Sequence, residues 1–339
     1  MSTHPYDAIL IVSFGGPEAP DEVVPFLENV TRGRNIPKER LEVVGEHYFL
    51  FGGKSPINDQ CRELIAALEP ALADAGVDLP VYWGNRNWRP MLTDTVQQMA
   101  DDGITNAIAF VTSATSSYSG CRQYREDIER AREAVGERAP VIHKIRQYYD
   151  HPGFIAPMVD HVEDALSSLA AQGDTARLVF TAHSVPMSYA STSDYVAQLT
   201  EASRLVSEAV GRDDFDLVWQ SRSGPPQVPW LEPDINDHLE ALHAGGTEAA
   251  VVIPIGFISD HMEVMFDLDT EAKATAERLG MGFARAGTVG SDPRFISAIV
   301  ELIEERRADG PVRALGNLAV RPDFCAVDCC PAPQRPSRP

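Results

Sequence analysis

The sequence predicts an α/β protein made of two doubly wound halves, each a parallel sheet covered by helices. Three observations carry this reading. Short β-branched apolar runs alternate with longer stretches of helical periodicity. Runs such as VVIPIGF, residues 251–257, are apolar on both faces, as buried parallel strands are. The pattern also occurs twice: a strand enters a glycine turn at residues 10–16, and a strand enters a polar turn at residues 179–186.

Taken in order, the first strand is residues 8–14 (AILIVSF), followed by Gly15-Gly16-Pro17 and a helical stretch over 20–29. Residues 55–75 read as a helix, because Ile57, Cys61, Leu64, Ile65 and Leu68 recur on one face. Ser55 and Pro56 suit its start as cap and first helical residue. Further strands are expected at residues 79–83, 107–112 and 141–145. Turn residues cluster at Asp150-His151-Pro152-Gly153 and divide the halves into 1–150 and 151–310. The second half should hold strands at 177–182, 216–219, 249–255 and 282–286. Residues 311–339 form a Cys- and Pro-rich extension, irregular unless other parts of the chain tie it down.

The 339 residues are enough to bury a full core without disulfides. The formal charge of −21 excludes non-specific nucleic-acid binding and adsorption to anionic lipid. No apolar run approaches the roughly 20 residues of a membrane span, and the N-terminus lacks a signal-peptide pattern. A cytoplasmic protein with reduced cysteines is the expectation.

Ligands of open α/β sheets sit outside the carboxyl ends of the strands. Residues 181–186 (TAHSVP) place His183 there, as a base or metal ligand or as a buried histidine held by a carbonyl. Residues 254–267 follow the strongest strand of the second half. If they turn helical after Gly256, then Glu263, Asp267 and Glu271 fall four apart on one face. Such a row is either a cation path or a solvated acidic face. Arg32, Arg34, Lys38, Arg40 and Lys54 form a basic set interleaved with acids. The loop 219–231 carries Trp219 and Trp230, which either stack on a flat ligand or pin the loop.

Four segments together resemble the ferrochelatases: TAHSVP with His183, GFISDHMEVMFD with Glu263, WQSRSGPPQVPWLEPD from Trp219 to Asp234, and FGGKSPIN with Ser55. The resemblance spans about residues 6–305. It implies two Rossmann-like, chelatase-type halves with a porphyrin cleft between them. It implies a lyase that inserts Fe²⁺ into a porphyrin, with His183 and Glu263 as the iron-contacting catalytic pair. Asp267 and Glu271 would continue an acidic line that supplies iron and drains protons. Ser55 and Tyr124 match positions that contact propionates, with Arg32 and Tyr48 on the same wall.

The chain looks most like the soluble Gram-positive branch, whose substrate is coproporphyrin III and whose product is Fe-coproporphyrin III (coproheme) for heme biosynthesis. The stretch 35–47 is polar where membrane-associated relatives carry an apolar lip. A protoporphyrin IX ferrochelatase, a cobalt chelatase and a non-catalytic tetrapyrrole carrier are the competing readings. Phe14 stands where some soluble relatives have a Tyr that ligates product iron, which leaves His183 or a water as axial partner. Some relatives also bind a [2Fe-2S] cluster. Cys325, Cys329 and Cys330 would supply three thiolates here. Cys121 would be the fourth, in preference to Cys61, which sits on a core face. Zinc on the same thiols, or free thiols, are the alternatives. A monomer is expected, handing its product to a downstream heme-pathway enzyme by transient contact.

Overall fold

The computed structural model describes residues 6–33, 36–308 and 310–332. The first half runs β1 (Ala8–Ser13), α1 (Val23–Val30), α2 (Lys38–Phe49), α3 (Ile57–Asp74), β2 (Val81–Asn85), α4 (Leu92–Asp101), β3 (Asn106–Val111), α5 (Gln123–Val135) and β4 (Val141–Lys144). The second runs α6 (Pro152–Ser168), β5 (Arg177–His183), α7 (Tyr195–Ala209), β6 (Asp216–Gln220), α8 (Ile235–Ala244), β7 (Ala249–Ile253), a π-helix (Met265–Ala272), α9 (Lys273–Leu279), β8 (Gly282–Arg285) and α10 (Pro293–Ala308). Every strand expected from the sequence is present within a few residues.

Both sheets are wholly parallel and share one topology, β2-β1-β3-β4 and β6-β5-β7-β8. Strand order reverses between β1 and β3 and again between β5 and β7, which creates a switch point in each sheet. β1 and β7 are buried along their whole length, β3 at every residue after Asn106 and β5 at every residue but its two ends, which explains their two-faced apolar runs. Ile57, Cys61, Leu64, Leu68 and Leu72 are the buried stripe of α3, the face its periodicity predicts.

The halves share a core. Phe110 of β3 stacks on Tyr148 at 4.9 Å; both meet Phe295 of α10, and Tyr148 and Phe295 meet Phe154 of α6. α10 follows the last strand of the second half yet packs against α3 of the first. Arg146, just past β4, is buried and forked onto Glu305 of α10 at 2.7 and 2.9 Å.

The described part of the extension is irregular, as expected, and it is tied down. Leu315 N–H bonds to the Asp150 carbonyl at 2.9 Å. Arg321 pairs with Asp194, and Asp323 accepts from the Arg146 amide at 2.8 Å. Residues 333–339 and Arg34 and Asn35 of the basic set and lip lie outside the described residues.

Candidate active site

The loops leaving β1, β3, β5 and β7 converge on the cleft. His183 is the last residue of β5, and the loop after β7 crosses over it. Gly256 permits that crossing, because a Cβ there would lie 2.5 Å from the Cβ of Ala182. The loop brings Glu263 Oε1 to 3.5 Å from His183 Nε2. The Nδ1–H of His183 donates to its neighbour's carbonyl, Ser184 O, at 2.5 Å. Neutral His183 therefore presents its Nε2 lone pair to the cleft.

The electrostatics follow from this pairing. Burial opposes charging of His183, but the Glu263 carboxylate, the Ser184 carbonyl and Asp267 outweigh it and hold its pKa at about 9. Burial likewise opposes ionisation of Glu263, and the His183 charge overrides it, so its pKa is depressed. Burial lowers the pKa of His261, which caps the following turn by accepting from Glu263 N–H at 3.2 Å. Tyr48 of α2 and Tyr195 of α7 both face Glu263, and burial followed by that negative charge raises their pKa values.

The acidic row extends along a π-helix rather than the α-helix the spacing suggests. Helical structure starts at Met262, and residues 265–272 are π. The wider π turn brings residues four apart closer to one line than a 3.6-residue α turn does. Burial pushes Asp267 up to about 7; a hydrogen bond from Ser221 opposes this, and the charges of Glu263 and Glu271 add to it. Gln220 Nε2 donates to the Glu263 carbonyl at 3.1 Å. Glu271 is raised by burial, lowered by His47 and raised again by Asp234.

On the opposite wall, Phe26 is ringed by Phe14, Tyr48 and Trp88 at centroid distances of 6.4, 6.0 and 5.9 Å. Phe14 is partly exposed at the carboxyl end of β1, and the Arg86 guanidinium lies over its ring and over that of Tyr124. Tyr124 is buried in the first-half core, with Arg86 and Thr112 as partners of its hydroxyl. Ser55 is also buried: its amide donates to Pro17 O at 2.8 Å, and Gly16 lies against its side chain. Arg32 is exposed on the turn after α1. Lys54 of the basic set pairs with Asp59 at 2.5 Å. Trp219 is buried beside Tyr195 at 5.9 Å, so it pins its loop. The start of the lip helix α2 is charged, as the sequence suggests, but its end exposes Phe49 and Leu50.

The structure gathers the cysteines at a separate place. Burial and then Cys121, Cys329 and Cys325 push the Cys330 thiol up to about 12. Burial, Cys329 and Cys121 raise Cys325. Gln147 Nε2 donates to Cys121 Sγ at 2.9 Å. Arg122 and Arg125, at the start of α5, bond to the carbonyls of Cys325, Ala326, Val327 and Cys329. Cys61 stays in the core and bonds to Ser13 Oγ at 3.2 Å. Among the described residues no group of three or more His, Cys, Asp or Glu is spaced to hold a single metal ion.

Sequence reasoning gave no role to Gln60, His47, Ser221 or His261, since their partners lie far off in sequence or arise from turn geometry.

Two doubly wound halves facing each other across such a cleft form the metal-chelatase architecture. The solved structure of SirB from Bacillus subtilis with Fe³⁺ matches it with a TM-score of 0.55 at 14% identity, covering 90% of this chain and 96% of that one. At that identity the likeness concerns the fold. The ferrochelatase family profile matches residues 6–307. The chain belongs to the ferrochelatase family, and it is a metal chelatase of the lyase class. It is 55% identical to the coproporphyrin III ferrochelatase of Nocardia farcinica over 97% of both chains. It is 53% identical to that of Streptomyces coelicolor, over 98% of this chain and 95% of the relative. To that of Mycolicibacterium smegmatis it is 56% identical over 90% and 93%.

Proposed function

We propose that this enzyme inserts Fe²⁺ into coproporphyrin III, giving coproheme. The observation that carries the mechanism is the His183–Glu263 pair, 3.5 Å apart at the switch point of the second sheet. Metallation releases two pyrrole protons and requires Fe²⁺ to shed water. Fe²⁺ arriving at Glu263 offsets the carboxylate that keeps His183 charged, so His183 gives up its proton. Neutral Nε2 then accepts a pyrrole proton while Glu263 guides the iron. Asp267, titrating near 7, and Glu271 pass iron inward and protons outward. A carrier would have no use for this paired base and carboxylate. The names of the relatives and the charged start of α2 support coproporphyrin III over protoporphyrin IX. Phe14, Tyr48, Ser55, Tyr124 and Arg32 belong to the porphyrin wall in this reading, with Ser55 and Tyr124 acting from beneath its surface.

Cys121, Cys325, Cys329 and Cys330 suit a [2Fe-2S] cluster, which takes two thiolates on each iron. Cys325 and Cys330, both raised by burial and by the facing Cys121 and Cys329, sit on a segment held by Arg122 and Arg125, and this supports the reading. When bound, the group supplies a one-electron redox centre. Loss of the visible absorption in Cys121→Ser tests this assignment, and an unchanged spectrum removes Cys121 from it. The boundaries 1–150, 151–310 and 311–339, a cytoplasmic location, a monomeric state and transient transfer of coproheme to a decarboxylating enzyme belong to the same reading. Among the described residues, no helix is long and apolar enough to cross a membrane.

Anaerobic Fe²⁺ insertion followed by loss of porphyrin fluorescence, with both porphyrins in parallel, tests the activity. Turnover of coproporphyrin III with little of protoporphyrin IX is expected. The reverse preference overturns the substrate, and tight binding without turnover overturns the enzyme.

A further inference from the structure

Gln60 of α3 makes two hydrogen bonds across the cleft to one residue of the other half. Its Nε2 donates to the Asp260 carbonyl at 2.8 Å, and its Oε1 accepts from the Asp260 amide at 2.9 Å. The planar side-chain amide pairs with the backbone as a neighbouring strand would, so both bonds are lost or kept together.

Both ends of this clasp are anchored independently. On the first half, Asn58 donates to the carbonyls of Gly16 and Arg89 at 3.2 and 3.1 Å, and Leu64, Leu68 and Leu72 fix α3 in the core. On the second half, the Asp260 side chain accepts from Arg285 at 3.1 Å and Thr288 at 3.2 Å. Neither element needs Gln60 in order to fold. The clasp instead sets where the loop stands relative to the opposite wall. Gln60 is five residues after Ser55, and Asp260 is three before Glu263. We propose that Gln60 is a positioning residue that holds the Glu263 loop in register with the porphyrin wall of the first half. This rests on the reading of His183 and Glu263 as the metallating pair.

The geometry separates binding from chemistry. A porphyrin seated on the first-half wall does not require the clasp, whereas delivery of iron by Glu263 does. Misplacing a reacting group by an ångström costs up to about 100-fold in rate. Gln60→Leu removes both bonds at similar volume. Gln60→Glu keeps the acceptor and replaces the donor with an oxygen that faces the Asp260 carbonyl.

The test is steady-state Fe²⁺ insertion by wild type and both variants, together with hydrogen exchange at the Asp260 amide. Gln60→Leu should lose about tenfold or more in kcat, with porphyrin KM within about twofold. Its Asp260 amide should exchange faster, while core amides of α3 stay protected. Gln60→Glu should fall between it and wild type. An unchanged kcat in Gln60→Leu with faster Asp260 exchange overturns the proposal, as does a rise in KM that accounts for the whole loss. If Gln60→Leu does not fold, Gln60→Glu decides by the same criteria. Glu263→Gln is run alongside. Full activity in that variant overturns the site itself, whereas an inactive Glu263→Gln beside an unaffected Gln60→Leu overturns the clasp alone.

Discussion

The imidazole of His47 lies flat on the ring of Phe266, with centroids 3.7 Å apart and planes within 10°. His47 belongs to the lip helix α2 of the first half and Phe266 to the π-helix of the second, so the pair bridges the mouth of the cleft. A flat macrocycle entering there has to part the rings. Aromatic pairs are worth about 0.5–1.5 kcal/mol, which corresponds to roughly 2–10-fold in rate. Phe266→Ala should raise the porphyrin association rate by that factor in stopped-flow fluorescence quenching. An unchanged rate would place entry elsewhere.

Glu263→Gln should abolish metallation, by about 100-fold or more, while porphyrin still binds. For wild type, kcat/KM reports the free enzyme and should climb as His183 loses its proton near pH 9. In Glu263→Gln, any residual activity should climb at lower pH, toward the ordinary imidazole range. Stability follows the same groups. The folded pKa of His183 is raised, so its contribution is complete below pH 6.5 and is lost as pH rises through about 9. That of Glu263 is depressed, so its contribution is lost only in acid. Thermal melts from pH 6 to 10 should show wild type losing its advantage over Glu263→Gln across the alkaline part.

Ser221 has a left-handed backbone, φ +61°, and its hydroxyl donates to Asp267. That bond holds the Asp267 pKa down against burial and its acidic neighbours. A hydrogen bond to a charged group is worth about 1.5–3 kcal/mol, so Ser221→Ala should leave Asp267 mostly protonated at pH 7. A loss of about fivefold in kcat at pH 7, recovered as pH rises by one or two units, is expected from pH–rate profiles. A loss independent of pH would mean that the hydroxyl does not act through Asp267.

Arg146 and Glu305 are both largely shielded from water, with side-chain exposures of 2% and 13%. Removing one partner of such a pair costs about 3–5 kcal/mol, so Arg146→Met should lower the urea midpoint substantially. The Arg278–Glu240 pair is 58% and 53% exposed, and Glu240→Gln should cost less than about 1 kcal/mol. Equal losses in the two variants would contradict the burial argument.

The strands were legible in the sequence because parallel strands buried on both faces leave continuous apolar runs, as in Ala249–Ile253. Helix α3 was legible from one apolar stripe. His183 stood out as the residue that ends β5 and Glu263 as part of the segment after β7, but it was the resemblance to the ferrochelatases that paired them. The π-helix was not legible, since residues four apart suit an α turn equally well until tertiary packing decides. Gln60 could not be found, because a side-chain amide 200 positions from its partner leaves no periodic trace. The anchoring of the extension was hidden for the same reason: Arg122 and Arg125 read as ordinary helix charges until the carbonyls of residues 325–329 are placed beside them.

The packing of α10 against α3 also bears on how the chain is made. The first sheet is complete when β4 ends at Lys144, but α10 begins only at Pro293, roughly 150 residues later. At synthesis rates of about 5–20 residues per second, the apolar flank of α3 waits on the order of 10–30 s on the ribosome for its covering helix. During that interval the nascent first half is a natural client for a chaperone.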